Sequence, residues 1–321
     1  MTTTTAPPAS PRKASYVVVH ETRYAYEQPV GLSRQIVRLT PRATAWQICR
    51  QHALHVTPEP RILAIMEDAF GNPSTSLCIE TDHDVLTVRA ESWVDVTARA
   101  YPDDATTTPW EEVRERLAYV AGQRLAPADL DATRFLFEST RVRNKRELAL
   151  WASSCFPSGA PLLGCVRALM NRIHEELTFD PEATTVSTPV MEVFQRRRGV
   201  CQDFAHLMLS CLRSMGLASR YVSGYLLTRP PPGKKRLVGA DASHAWVSVY
   251  LPGHGWVDVD PTNDVFPSLE HVTLGWGRDY SDVIPLRGVL LGGGEHELGI
   301  EVTVAPAADY EDVFGCLPSA Q

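Results

Sequence analysis

The sequence predicts an α+β protein: an N-terminal antiparallel β-sandwich or open barrel, then a core in which a helix opening on a cysteine precedes an antiparallel sheet. Three observations predict it. Residues 15–100 hold β-branched runs broken by Pro, Gly and Asn. From about residue 101 the apolar residues recur at helical spacing. After Gly216, short alternating strands return.

In the N-terminal part, residues 15–20 (SYVVVH) and 33–39 (SRQIVRL) are strand candidates, with a turn between them at Gln28-Pro29. Strands at 52–56 and 61–66 follow, and Phe70-Gly71-Asn72-Pro73 is a turn. Residues 84–96 (DVLTVRAESWVDV) alternate apolar and polar, as a half-buried strand does.

A first helix is expected from Thr108 as N-cap, with Pro109 at its first position, Glu111 completing a capping box, and Trp110, Val113, Leu117 and Val120 on one face. A second is expected over 161–177, and a third over 189–198 ending in Arg196-Arg197-Arg198 with Gly199 as its stop. A fourth, 202–215, buries Phe204, Leu207, Met208, Cys211 and Leu212. Strands are expected at 219–228, 244–251, 256–260 and 297–304, the last packing back on the N-terminal domain because it needs an edge to pair with. The organisation is thus a disordered tail (1–14), a β-domain (15–100), a helical connection (101–160), a core (161–265) and a C-terminal segment (266–321).

Composition excludes several classes. With 31 basic and 38 acidic residues in 321, the net charge of −7 argues against a general nucleic-acid binder. No run approaches 18 apolar residues, so no membrane-spanning helix is expected, and the polar start MTTTTAPPASPRKAS has no secretory core. Seven cysteines, an odd number without C-x-x-C, suggest neither a disulfide framework nor a zinc ribbon. A cytoplasmic protein is the expectation, and no cofactor or metal is called for.

Chemistry concentrates in three residues. Cys201 stands at the start of a predicted helix, where unpaired N–H groups and the dipole favour a thiolate over the ordinary thiol of pKa about 8.5. Most cysteines are inert packing, a reading that suits Cys49, Cys78, Cys155, Cys165 and Cys211 better than one between Arg-Gly and Gln-Asp. A nucleophile needs a base, and the base an orienting group. His244 begins one strand and Asp260 ends the next. A short loop, LPGHG (251–255), joins them as a hairpin that brings the two within about three residues of facing each other.

GVCQDFAHL (199–207), SRYVSGYL (219–226) and SHAWVSVYLPGHGWVDVDPTN (243–263) resemble the transglutaminase-like cysteine-enzyme superfamily. HETRYAYEQPV (20–30), RLTPR (38–42) and DAFGN (68–72) are similar to the N-terminal β-domain of its bacterial branch, and GRDYSDVIPLRGVLLGGGEHELGIEV (277–302) to its C-terminal segment. The resemblance implies a papain-like α+β core and a triad of Cys201 as nucleophile, His244 as base and Asp260 as orienting carboxylate. It implies acyl transfer from a peptide or protein amide through a thioester. Hydrolysis (protease or amidase) is the first expectation, and transfer to an amine (protein crosslinking) the alternative. A catalytically silent binding module is the rival from another class. Arylamine acetyltransferases share a Cys-His-Asp set, but the β-rich N-terminal domain and mid-chain cysteine argue against them. Calcium-binding loops are not recognisable, and oligomeric state is not legible.

Other residues carry less. Gln202 is a candidate near the oxyanion and Trp246 a candidate wall of the acyl site; surface and core roles compete with these. Trp256 also flanks the hairpin, where packing is the plainer reading. His206 is about 140° around the helix from Cys201 and Asp203 about 200°, so neither is expected to face the thiol, though Asp203 suits the helix start. Asp258 is expected on the opposite face from some hairpin neighbours. His52 and His55 form an H-x-x-H without further ligands, and 196–198 and 234–236 are solvated basic runs, the second a possible guide for an acidic substrate.

Overall fold

In the computed structural model, residues 12–228, 241 and 243–310 are described. Most of the expected tail, the 229–236 loop with its basic run, and Cys316 lie outside them.

The N-terminal half contributes β1 (Lys13–Val37), β2 (Gln47–Thr57), β3 (Ile62–Glu67), β4 (Pro73–Ile79) and β5 (His83–Thr97). The helices α1 (Trp110–Leu117), α2 (Pro127–Thr133), α3 (Arg146–Ala152) and α4 (Leu162–Glu176) follow. Then come β6 (Thr178–Phe179), α5 (Val190–Arg196), β7 (Arg198–Gly199) and α6 (Cys201–Ser214). The chain continues through β8 (Ser219–Leu226), β9 (Ser243–Leu251), β10 (Gly255–Val259), β11 (His271–Gly277), β12 (Leu286–Gly292) and β13 (His296–Pro306).

The first sheet has seven strands in the order β2-β5-β1-β4-β3, with β12 and β13 also on β1. Its spine departs from expectation: no turn interrupts Gln28-Pro29, and 25 residues run as one strand. Proline cannot donate to a ladder, so it is tolerated where pairing is irregular. That is what surrounds Pro29, since the register slips between Ala25 and Val30 against β5 and between Val30 and Leu32 against β12. Before the slip β1 lies between β5 and β13, and after it between β4 and β12. The sheet curls into a half-barrel there, over a core that includes Val30, Val37, Leu77, Ile79, Leu86 and Val88.

The second sheet is antiparallel, β10-β9-β8-β11. The core therefore extends past the boundary expected at residue 265, because β11 lies beyond it. The rest of the expected C-terminal segment crosses over: β13 pairs with β1 from Tyr16–Pro306 to Tyr26–His296. Both faces of the second sheet are covered. On one, α6 packs with α3, α4 and α5 in a large apolar cluster. On the other, Tyr225, Val272 and Leu274 meet Tyr16, Val18, Val94, Val96, Val302 and Val304 of the first sheet. Every residue of β8 but the last is buried, as double coverage requires.

Two helix ends differ from the sequence reading. Pro109, not Thr108, occupies the N-cap of α1, without a side-chain cap bond. The segments before α1 and α4 bridge at Pro109 and Pro161, and Leu162 N–H donates to the Thr108 carbonyl, which moves the start by one residue. Glu111 accepts from the Gly159 N–H across this junction rather than closing a capping box. At α5, Arg197 makes the stop in a left-handed conformation at φ 55°. Its guanidinium stacks over Phe194 and Trp151 and pairs with Glu176.

The two sheets share one apolar layer. Leu274→Ala is expected to cost about 2–5 kcal/mol and to leave a single unfolding transition in denaturant; two separated transitions would show that the sheets fold independently.

Candidate active site

The site is built where α6 and β9 begin and where β10 ends. Val200, in extended backbone, precedes the helix, and Cys201 is its first residue. The buried Asp203 carboxylate accepts the Val200 N–H at 2.9 Å and the Thr184 hydroxyl at 2.6 Å, which secures the turn. Burial still pushes the Asp203 carboxyl above its usual range, against those two bonds. Gly199 has its reason here: a Cβ would stand 2.6 Å from an Asp203 oxygen. Cys201 itself is half-buried, unlike Cys165 and Cys211 within the core. Burial pushes the Cys165 thiol up to about 11 and Cys211 higher still.

His244 and Asp260 meet because of hairpin register. Val247 pairs with Val259, so Asp260 falls opposite Trp246, and His244 is one pleat further along the same face. The His244 Nε2–H donates to Asp260 Oδ2 at 2.7 Å. That assignment is forced: an ionised carboxylate only accepts, so the proton is on Nε2 and Nδ1 is left for another partner. Cys201 also acts on this imidazole, adding to Asp260 in raising its pKa.

Asp260 is fully buried and well satisfied. Its Oδ1 accepts the N–H groups of Thr262 and Asn263 at 2.9 and 3.3 Å. Its Oδ2 accepts, besides His244, the Asn263 amide at 2.7 Å and the His271 Nε2–H at 3.2 Å. Burial would raise its pKa, but the bonds from His244 and His271 hold it well below the carboxylate range. For His244 burial opposes the charge. The bonds and charges of Asp260 and Cys201 outweigh it and raise the imidazole to about 10. The arrangement stabilises an imidazolium beside the buried Asp260 carboxylate.

Other candidates fall elsewhere. Gln202 donates its side-chain amide to the Val186 carbonyl at 3.3 Å. Trp246 is a correction: it is completely buried, with its Nε1–H on Asp258 Oδ2 at 3.0 Å and its ring tilted against His244 and edge-on to His271. It is a floor beneath both imidazoles, not a wall open to a substrate. The Asp258 side chain lies on the same face as Asp260 and pairs with Arg99. Trp256 packs on Phe135 and Tyr250. His206 accepts the Tyr280 N–H at 3.2 Å. His52 bonds to Thr40 and Ser92, a structural role. Arg196, Arg197 and Arg198 pair with Glu192, Glu176 and Asp180.

Two site residues escaped the sequence reading. Asn263 was readable as part of the DPTN turn, since Asn commonly bonds back to a neighbouring turn. His271 carries no local signal, because it reaches Asp260 from a strand that was not foreseen. Ligand-type atoms of His244, Asp260 and His271 lie within 4.8 Å of one another. Each imidazole nitrogen lies at hydrogen-bond distance from Asp260 Oδ2, at 2.7 and 3.2 Å.

The raised His244 pKa sets a sign for stability. Its contribution is complete below the ordinary value of 6.5 and is lost as pH rises towards about 10. Thermal melts from about pH 5 to about pH 10 are expected to show a steeper decline over that window for wild type than for His244→Gln; parallel curves would remove the buried ion pair. Gly224 pairs with His244, and a Cβ there would lie 2.1 Å from the Val272 carbonyl oxygen and 2.5 Å from Trp246. Gly224→Ala is expected to destabilise by about 1–3 kcal/mol, measured by chemical denaturation.

Comparison with known proteins agrees with this architecture. Residues 16–95 match the bacterial transglutaminase-like N-terminal region, and residues 157–261 match the transglutaminase-like superfamily. An uncharacterized protein of Mycobacterium tuberculosis is 38% identical over 299 residues, covering 91% of this chain and 92% of that protein. A protein-glutamine gamma-glutamyltransferase of Pseudomonas aeruginosa is 37% identical over 133 residues, 38% of this chain and 20% of that protein. Among solved structures, a candidate cysteine protease from Cytophaga hutchinsonii superposes with a TM-score of 0.70 at 20% identity, covering 92% of this chain and 91% of that one. The chain belongs to the transglutaminase-like superfamily, in the form that carries the bacterial transglutaminase-like N-terminal region.

Proposed function

We propose that this protein is a cysteine acyl transferase acting on peptide or protein amides, with Cys201 as nucleophile, His244 as acid–base and Asp260 as its orienting carboxylate. The observation that carries the reading is the convergence of the half-buried, helix-first Cys201 and the buried Asp260 on one imidazole, that of His244.

The thiolate, not the thiol, is the nucleophilic form of a cysteine. The thiolate attacks the amide carbonyl, and the developing oxyanion meets first-turn N–H groups of α6, those of Cys201 and Gln202, which have no partner within the helix. His244 gives its Nδ1 proton to the departing amine or ammonia, and a thioester remains on Cys201. In the second half His244, now neutral, takes a proton from the acceptor, and the thioester is released. Asp260 holds the ring in the one tautomer that presents Nδ1 to the sulfur in both halves.

Water as acceptor gives an amidase or protease, and it reaches an open thioester without a dedicated subsite, so hydrolysis is the primary reading. A primary amine as acceptor is the second reading, supported by the Pseudomonas aeruginosa relative named as a protein-glutamine gamma-glutamyltransferase.

The test is intact-mass trapping of an acyl adduct on Cys201 after exposure to a mixture of glutaminyl and other peptides, with Cys201→Ala as the blank. Oxygen-18 from labelled water in the product carboxylate marks hydrolysis, and incorporation of a fluorescent primary amine marks transfer. His244→Ala and Asp260→Asn are expected to lower kcat/KM by about 10²–10⁴-fold. No adduct, together with Cys201 alkylation by iodoacetamide near neutral pH no faster than that of partly exposed Cys155, would leave a binding module instead.

A further inference from the structure

His271 enters the site from β11 and is buried. Its Nε2 lies 3.2 Å from the Asp260 oxygen that also receives His244 at 2.7 Å. Asp260 only accepts, so His271 must carry its proton on Nε2. Its Nδ1 is then a bare lone pair, buried and without a hydrogen-bond partner among the described residues. An unpaired buried acceptor is a standing cost. If the site needed only filling, a phenylalanine or leucine edge-on to Trp246 would fill it without that cost. What an imidazole adds is the Nε2–H.

The ring has little freedom to do anything else. It stands edge-on to Trp246, with centroids 5.2 Å apart at 85°, and its backbone pairs with Leu226 of β8. The charged or titratable groups around it are Asp260 and His244 on the hairpin and Arg99 beyond β5. Arg12, Tyr16 and the adjacent Glu270 line a cleft of about 410 Å³ with it. Burial, the leading cause, keeps His271 below its ordinary pKa despite the Asp260 bond, so the ring is a neutral donor at working pH.

We propose that His271 is a positioning residue for the triad: a fixed Nε2–H donor that shares Asp260 Oδ2 with His244, holds the carboxylate in line, and draws off part of its charge so that His244 can surrender its proton before deacylation. Asp260 must be strong enough to support an imidazolium while the thiolate attacks, yet not so strong that His244 stays protonated once the sulfur is acylated. A second donor on the same oxygen moderates the carboxylate without removing it. This inference rests on the reading of Cys201, His244 and Asp260 as the catalytic set.

Two full-length variants separate the donor from the packing. His271→Phe keeps a ring against Trp246 and loses the N–H, whereas His271→Gln keeps an N–H near the Nε2 position. Titration of the His244 ring by nitrogen-15 NMR is expected to give an apparent pKa higher by about 0.5–1 in His271→Phe and unchanged in His271→Gln. With an activated acyl ester as probe, His271→Phe is expected to deacylate roughly three- to tenfold more slowly while acylation is retained, so that kcat and KM fall together. A lower melting temperature with wild-type His244 titration and deacylation would reduce His271 to packing and overturn the proposal. A His271→Gln variant as altered as His271→Phe would overturn it too. Should His271→Phe not fold, ring spectra of the wild type decide: Nε2 protonated and Nδ1 bare across the working range supports the proposal, and the opposite tautomer ends it. Failure of the catalytic reading looks different, since no acyl-enzyme would then form in the wild type, whatever the His244 titration shows.

Discussion

The carboxylate of Asp260 is the constraint on which the site depends. It is ionised, with no exposed surface, a state tolerated only when every lone pair is used. Two backbone N–H groups take one oxygen, and His244, Asn263 and His271 converge on the other. None of these donors can leave without exposing a buried charge. The imidazole of His244 is therefore aimed by the same interactions that make Asp260 tolerable in the interior, and Cys201 is engaged as a result.

The rest of the fold can be understood as the means of bringing these groups to one place. Hairpin register puts Asp260 across from Trp246 and one pleat from His244. The absence of a side chain at Gly224 lets β11 and Trp246 close in behind His244, and β11 brings His271. On the other side Gly199 permits the Asp203 cap that starts α6 at Cys201. The first sheet supplies the second apolar cover of β8 and β11. It also fastens β11 directly, since the Gln47 side chain bonds both the N–H and the carbonyl of Thr273.

Much of this was legible in the sequence because it is local. The α6 stripe, the hairpin of β9 and β10, and a helix-first cysteine each follow from spacing within a few residues. What was hidden is non-local. Pro29 signals a turn only if its strand has regular neighbours; β1 changes partners on both edges there, and the proline sits in the irregularity. Thr108 is a sound cap by composition, but the pairing of its segment with the one before α4 overrides it. Trp246 beside His244 suggested a substrate wall, and it took the β8 and β11 backbones to show that this face is sealed. His271 is the clearest case, a histidine in an unforeseen strand whose meaning depends wholly on a carboxylate eleven residues earlier.

The pairing of Tyr16 with Pro306 bears on how the protein is made. During translation β1 leaves the ribosome long before β12 and β13, so one edge of the longest strand stays open while the whole second sheet is synthesised. An unpaired apolar edge of that length invites association with other nascent chains. The half-barrel is thus completed last, although it is encoded first.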